Sequence, residues 1–150
     1  MKSPIGFHSI SGNFELKKKA VVRSWLEKVM SAHHHYPGHL DFIYCSDNYL
    51  LEINKEYLSH DDYTDIITFN YNIGQQISGD IFISTERVAD NAVDLNIPFE
   101  KELARVMIHG VLHLLGYNDK SPEDQEKMRN AEDYYLQWLE APLHVSRETI

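Results

Sequence analysis

The chain has 150 residues, 43% of them hydrophobic and 25% charged, which excludes a disordered or collagen-like protein and is typical of a globular one. This length fits one domain with a buried core, and we expect residues 1–150 to form a single unit. The 14 basic and 23 acidic residues leave a formal charge of −9, which argues against a protein that coats nucleic acid through its overall charge.

Membrane insertion and secretion are not expected either. No apolar run approaches the roughly 18 residues needed to cross a bilayer, and the N-terminus lacks the charged-then-apolar pattern of a secretory signal. The single cysteine, Cys45, has no partner for an internal disulfide and lies in an apolar stretch, so we interpret it as a small buried hydrophobe. We therefore expect a cytoplasmic protein without a membrane partner.

Hydrophobic periodicity and turn residues divide the chain into strands and helices. In chain order they predict a strand over 4–10, a helix over 16–30, a strand over 39–45, a short helix over 47–58, strands over 65–71 and 79–84, and helices over 85–95, 98–116 and 122–140. Asn72 and Gly74 mark a turn between the last two strands, which permits an antiparallel pair. Because strands precede and interleave with helices, we predict an α+β fold, in which a small mixed sheet of about four strands is covered by helices.

Capping residues predict where two of these helices begin. Asn13 is a candidate cap for the helix over 16–30. Ser121 can cap the last helix, Pro122 suits its first position, and Asp124 completes a capping-box pattern.

The segment from His109 to Asp119 carries the most informative side chains. Residues four apart lie on one face of a helix, so His109 and His113 can present two imidazoles to one point, as in helical His-x-x-x-His zinc sites. Gly116 can let the chain leave the helix with a positive φ, and the following turn can bring Asp119 back toward the pair. The sequence thus predicts a metal site on the central helix over 98–116, with His109, His113 and Asp119 as ligands.

A pair of histidines at this spacing also arises by chance, and either could be a core histidine that bonds a backbone group. Three features favour metal binding: the helix is strongly apolar, so unpaired imidazoles would be costly there; a helix-ending Gly116 follows; and Asp119 supplies a third ligand. Two imidazoles and one carboxylate suit a single Zn²⁺, with Ni²⁺, Co²⁺, Cu²⁺ or Fe²⁺ as competitors, and leave a fourth position open for water as in catalytic sites.

The chemistry expected of such a site begins with water. Bound zinc lowers the pKa of its water to about 7, which supplies a nucleophile, although the sequence does not identify a general base. In metalloproteases of the His-Glu-x-x-His type, the glutamate beside the first histidine is that base. Here Gly110 occupies the position, so a standard zinc-peptidase mechanism is disfavoured.

Four stretches, the histidine segment among them, occur in a fixed order between about residues 49 and 130. They are Ile-Asn-Lys-Glu-Tyr-Leu at 53–58, Thr-Asp-Ile-Ile-Thr-Phe at 64–69, Gly-Asp-Ile-Phe-Ile-Ser at 79–84 and His-Gly-Val-Leu-His-Leu-Leu-Gly-Tyr-Asn-Asp at 109–119. They are similar to the motifs Leu-Asn-x-x-Tyr-Arg, Thr-Asp-Val-Leu-Ser-Phe, Gly-Asp-Ile-x-Ile-Ser and His-Gly-x-Leu-His-Leu-x-Gly-Tyr-Asp-His of the YbeY family of bacterial endoribonucleases and rRNA-maturation factors. The last stretch matches that signature in every fixed position except the final two.

The resemblance implies a zinc-dependent endoribonuclease of the single-strand type, which acts in 16S rRNA maturation and ribosome quality control. Its implied partners are ribosomal RNA and the small ribosomal subunit, and no small-molecule cofactor is implied. His109 and His113 carry over as zinc ligands. Asp119 stands where the family usually has a third histidine, so it keeps a ligating atom at the same spacing but adds a negative charge.

A second departure from the family pattern concerns Leu58, which stands where the family usually has an arginine implicated in RNA cleavage. A guanidinium could steady phosphate charge in the transition state, and leucine cannot. Lys55 is a candidate replacement cation. Two other functions therefore stay open: a non-enzymatic, zinc-stabilised ribosome-assembly factor, favoured by Leu58 and the acidic charge, and a small metallopeptidase, disfavoured by Gly110.

Several other residues are given structural interpretations. Thr64, Asp65, Gly79 and Asp80 recur in the family motifs, and we interpret them as turn and strand-start residues. The run 33–35 of three histidines is interpreted as a solvated helix terminus, because three consecutive side chains point in different directions.

Overall fold

The computed structural model describes residues 4–10, 14–59 and 63–148, with the backbone alone for residues 140–148. Its strands and helices, in chain order, are β1 (Ile5–Ser9), α1 (Lys19–Ala32), β2 (Tyr36–Cys45), α2 (Asp47–Leu58), β3 (Ile66–Asn70), β4 (Gln76–Ser84), α3 (Thr85–Leu95), α4 (Phe99–Leu114) and α5 (Pro122–Glu148). None of the helices in these ranges combines the length and the apolar character that crossing a membrane requires.

The four strands form one sheet in the order β1-β2-β4-β3. β1 runs parallel to β2, and β2 runs parallel to β4, whereas β3 runs antiparallel to β4. The sheet is therefore mixed, and the predicted α+β fold with about four strands covered by helices is confirmed, as is the antiparallel pair. β3 lies at the edge of the sheet, so one side of its backbone has no neighbouring strand among the described residues.

Alternating side chains of the sheet enter two separate apolar clusters. Leu40, Phe42 and Tyr44 of β2 lie in the main core, which side chains of α1, α4 and α5 complete. Cys45, next along the strand, lies in a smaller cluster formed with α2, and the prediction that it is buried is confirmed. Burial of each large apolar side chain stabilises the fold by about 1.5–3 kcal/mol, so both faces of the sheet contribute.

The central helix is α4, which packs against α3, α5, β3 and β4. Its approach to the sheet depends on Gly110: a Cβ atom there would lie 3.0 Å from Ile66 Cδ1 and 3.1 Å from Ile81 Cδ1. A larger side chain at this position would push α4 away from β3 and β4. Position 110 is therefore a packing position, in addition to lacking the glutamate of the zinc peptidases.

The predicted start of the first helix is wrong. α1 begins at Lys19 and not at Leu16, after Lys18 in the left-handed conformation with φ 57° and no side-chain capping bond. Phe14 and Leu16 pack against the main core from the segment before the helix, so their apolar character reflects core contacts and not helical periodicity. The candidate cap Asn13 lies outside the described residues.

The second correction concerns β4, which begins at Gln76, so Gly79 and Asp80 lie inside the strand and not at its start. A Cβ atom on Gly79 would collide with the backbone carbonyl oxygen of Phe69 on β3. Glycine is needed there because the two antiparallel strands approach each other closely at this pair.

The last helix begins as predicted. Ser121 Oγ accepts a hydrogen bond of 3.0 Å from the backbone N–H of Asp124, and Pro122 is the first helical residue. The helix continues to Glu148, beyond the predicted end at residue 140.

One carboxylate is buried in the first turn of α4. Glu102 is 5% exposed, and its Oε1 atom has no hydrogen-bond partner among the described residues. Burial raises the pKa of this carboxyl group, Arg105 lowers it, and Asp65 and Glu132 raise it further, with a net increase. The ionised form of Glu102 therefore weakens the folded state.

We expect Glu102→Gln to raise the free energy of unfolding by about 1 kcal/mol near neutral pH, because it removes a poorly solvated charge. A carboxyl group whose folded pKa is raised contributes stability below its unfolded pKa and loses it as the pH rises through the folded pKa. In denaturant titrations, the advantage of the variant should therefore grow as the pH rises above the ordinary glutamate pKa of 4.5. Glu100→Gln, at an exposed position in the same turn, is the control; an equal gain there would contradict the explanation.

Candidate metal centre

The C-terminal end of α4 carries both predicted histidines and a tight helix ending. Gly116 has φ 106°, as its predicted role requires. Its N–H bonds the carbonyl of His113 at 3.0 Å, and the N–H of Tyr117 bonds the carbonyl of Leu112 at 2.9 Å, which is the Schellman pattern. This ending reverses the chain, so that Asp119 returns to the face of α4 that carries His109 and His113.

The three side chains converge on one point. His109 Nε2 and His113 Nε2 are 3.0 Å apart, and Asp119 Oδ2 lies 3.5 Å from the first and 3.3 Å from the second. Zinc bonds of about 2.0–2.1 Å at tetrahedral angles would place neighbouring ligand atoms about 3.3 Å apart. Sequence reasoning therefore selected three residues that lie together in the fold, and the group could hold a metal ion.

The hydrogen bonds of the two imidazoles show that the site suits a cation. His109 Nδ1 donates to Glu132 Oε2 at 2.6 Å, and His113 Nδ1 donates to the backbone carbonyl of Tyr117 at 3.1 Å. Because a carboxylate and a carbonyl only accept, both neutral rings carry their proton on Nδ1. Their Nε2 lone pairs then face each other and the Asp119 carboxylate, so three electron-rich groups repel one another. A cation or an added proton between them removes this repulsion.

Sequence reasoning did not identify Glu132, whose carboxylate bonds Nδ1 of His109, the ring nitrogen that does not point at the candidate metal position. The residue is 7% exposed, and its second oxygen accepts from Arg105 Nη1 at 3.1 Å. A signal was present: Glu132 lies midway between the buried Met128 and Leu136 at spacings of four residues, so a charged residue occupies the core-facing side of α5. A buried carboxylate on the outer nitrogen of a histidine is the usual support of a metal ligand.

Charges around His109 favour its protonated form when no cation is present. Burial lowers the pKa of this imidazole, but the hydrogen bond and charge of Glu132 raise it, and the charges of Asp119 and Asp65 add to that effect. The net result is a raised pKa. The same negative charges that attract a proton attract a divalent cation.

We expect Glu132→Gln to lower the zinc affinity of the protein by about 10–100-fold, because His109 loses the charge that fixes its ring and increases its basicity. Competition with a chromogenic chelator measures the affinity. Glu126→Gln changes an exposed glutamate of the same helix and should bind zinc as the unaltered protein does. Equal affinities in all three proteins would show that Glu132 does not support the site.

The three convergent side chains lie in an open cleft of about 650 Å³. Its walls come from the end of α2, the segment before β3, the β3 edge strand and the end of α4. Leu58, the last residue of α2, lines this cleft and is 44% exposed. Lys55 is not among the described lining residues, which include no lysine or arginine, and its ammonium group lies 3.8 Å from Glu52.

One of the structural interpretations is incomplete and another is wrong. The backbone carbonyl of Asp65 accepts from the N–H of Ser84 at 3.0 Å, in agreement with a strand start, but Thr64 and Asp65 also line the cleft beside the histidines. The histidine run is not uniformly solvated, because His33 is half-buried and bonds the Tyr117 hydroxyl at 3.2 Å. His33 thus braces the turn that leads to Asp119.

Comparisons with known proteins agree with this architecture. The family model described as "Endoribonuclease YbeY" matches residues 8–140. The chain is 50% identical to the Endoribonuclease YbeY of Flavobacterium psychrophilum, over 83% of this chain and 89% of that protein. It is 47% identical to the Endoribonuclease YbeY of Christiangramia forsetii, over 88% of this chain and 92% of that one.

A solved structure shares the fold as well. The solution structure of a Thermotoga maritima protein matches with a TM-score of 0.67 and 25% sequence identity, over 95% of this chain and 93% of that one. The family model and the two relatives cover most of the chain, including the α4 segment with both histidines. The resemblance recognised in the four motifs is confirmed, and the chain belongs to the endoribonuclease YbeY family.

Proposed function

We propose that this protein is a zinc-dependent endoribonuclease that cuts single-stranded RNA in the cytoplasm, in 16S rRNA maturation and ribosome quality control. The observation that carries the proposal is the convergence of His109, His113 and Asp119, with both Nε2 lone pairs directed at one point in an open cleft. Membership of a family whose relatives are named endoribonucleases supplies the class of substrate.

The donor set supports zinc as the ion. Two imidazole nitrogens and one carboxylate oxygen are common zinc ligands, and three protein ligands are the number typical of catalytic sites, whereas structural sites have four. When bound there, zinc would act as a Lewis acid toward phosphate oxygens and favour a water nucleophile. His109 and His113 would hold the ion through Nε2, with Glu132 and the Tyr117 carbonyl fixing the two rings.

The cleft supports RNA contact through hydrogen bonds more than through charge. Its lining includes the amide side chain of Asn70 and the hydroxyl groups of Thr64 and Thr68, besides the edge of β3 that pairs with no other strand in the described part of the chain. Such groups can bind a nucleotide backbone or base edges without a basic surface. The chain's charge of −9 would weaken nonspecific binding, which suits an enzyme that cuts few sites.

The other two functions make different use of these residues. A non-enzymatic assembly factor would keep the zinc for stability, and Leu58 on the cleft wall favours that alternative over an active nuclease. A peptidase is disfavoured, because Gly110 packs against Ile66 and Ile81 and supplies no base.

The proposed activity is tested with structured and single-stranded RNA. Zinc-loaded protein should cleave the single-stranded RNA, chelator-stripped protein should not, and added zinc should restore the cleavage. His113→Ala, purified in parallel, controls for contaminating nucleases and should be inactive at every zinc concentration. Equal cleavage by His113→Ala and the unaltered protein would leave the nuclease proposal without support and favour the assembly factor.

A further inference from the structure

Two carboxylates line the described part of the cleft, Asp119 and Asp65. Asp119 belongs to the group of three side chains whose ligand atoms lie within 4.8 Å of one another, and Asp65 does not. The two oxygens of Glu132 accept hydrogen bonds from Arg105 and from His109 Nδ1, and Glu132 does not line the cleft. Asp65 is therefore the carboxylate of this cleft that remains for proton transfer once the ion is held.

The position of Asp65 is fixed by two neighbouring elements. Its backbone carbonyl accepts from the N–H of Ser84 at the end of β4, at 3.0 Å. Its Oδ2 atom accepts from the side-chain amide of Asn91 on α3, at 3.5 Å. With its backbone bonded to β4 and its carboxylate bonded to α3, Asp65 can stay at one place in the cleft wall, as a proton acceptor beside a reacting water must.

The surroundings of Asp65 also suit a base. Burial raises the pKa of its carboxyl group, the charge of His109 lowers it, and the net shift is upward. General bases work best when their pKa lies near the operating pH, so a carboxyl raised from its ordinary value accepts a proton more readily than an exposed one.

Resting on the proposed nuclease activity, we propose that Asp65 is the general base of the reaction. Its carboxylate accepts a proton from the water whose oxygen forms the new bond to phosphorus. The bond from phosphorus to the leaving ribose oxygen breaks, that oxygen takes a proton from solvent, and Asp65 later returns its proton to solvent. One water is consumed, and the products are a phosphate monoester and a hydroxyl group.

The test compares Asp65→Asn with Asp94→Asn, which changes an exposed aspartate of α3 outside the cleft. Each zinc-loaded protein is assayed on single-stranded RNA and on bis(4-nitrophenyl) phosphate, whose leaving group needs no proton. Asp65→Asn should lower kcat about 10²–10⁴-fold on both substrates, because the loss of a general base slows attack by water in either case. Zinc affinity, measured by chelator competition, should be unchanged in Asp94→Asn and should fall less than tenfold in Asp65→Asn, which loses a nearby negative charge but no ligand.

Three results would overturn the assignment. Normal kcat in Asp65→Asn would show that no proton passes through it. A tenfold loss of zinc affinity would make Asp65 a metal ligand instead. If kcat falls on RNA but not on the nitrophenyl ester, Asp65 would be the acid that protonates the leaving group. If the unaltered protein hydrolyses the ester but not RNA, the nuclease proposal fails while the ester still tests Asp65; if it hydrolyses neither, both proposals fail.

Discussion

Asp119→Ala is expected to remove zinc retention and RNA cleavage together. The substitution takes away one of three convergent ligand atoms and leaves two imidazoles, which together hold an ion far more weakly. Removal of a group that only supports a ligand lowers metal affinity by about 10–100-fold. Removal of the ligand Asp119 itself should lower the zinc affinity by more than that. Elemental analysis after dialysis against a weak chelator measures the zinc content, and the RNA assay measures kcat on the same samples.

Two companion variants make this result specific. Asn118→Ala changes the neighbouring residue without removing a candidate ligand and should keep its zinc. Asp119→His restores the residue that the family usually carries and should also keep its zinc, since an imidazole nitrogen can replace the carboxylate oxygen. Unchanged zinc content in purified Asp119→Ala would show that Asp119 is not a ligand, whatever its distance from the histidines.

Leu58→Arg is expected to increase RNA cleavage by about tenfold or more. Leu58 ends α2 on the wall of the cleft that contains His109 and His113, where an arginine could reach phosphate oxygens on bound RNA. When an enzyme loses one well-placed hydrogen-bond donor to a developing negative charge, its kcat falls by about 10²–10³-fold. An added arginine that is less well placed should therefore give a smaller gain in kcat. Single-turnover cleavage of a labelled RNA measures the change.

The matched control for this gain is Leu58→Gln, which adds polar atoms without charge. If the guanidinium acts on phosphate, the glutamine variant should cleave like the unaltered protein, and the gain in Leu58→Arg should shrink as salt is added. An equal gain in both variants would attribute the effect to the loss of an apolar side chain. A slower Leu58→Arg enzyme would mean that the cleft does not need a cation at this position.

Much of the candidate centre could be predicted because its main parts are close together in the sequence. His109 and His113 share one helix face through the helical repeat, and Gly116 permits the turn that returns Asp119. These relations span eleven residues and depend on local backbone geometry alone. The start of α5 was predictable for the same reason, since Ser121 and Asp124 interact within a single helical turn.

Other expectations were wrong where tertiary contacts override local patterns. Leu16 is apolar because it packs against the core before α1 begins, although its spacing fits the helix. Gly79 suggests a strand start, yet it lies inside β4 because the Phe69 carbonyl of the paired strand leaves no room for a side chain. The expected solvation of His33 is wrong, because Tyr117, from a distant segment, bonds its ring and covers part of it.

The sequence by itself determined the family, the α+β class and the three residues that converge at the end of α4, since helical periodicity, turn residues and ordered motifs are local properties. Only the tertiary structure decided what surrounds them. Glu132 reaches His109 because α5 packs against α4, and Asp65 faces the cleft because β3 forms the edge of the sheet beside that helix. Such contacts join residues 23 or more positions apart. Their formation depends on how whole elements bury their apolar faces, which no short window of sequence specifies.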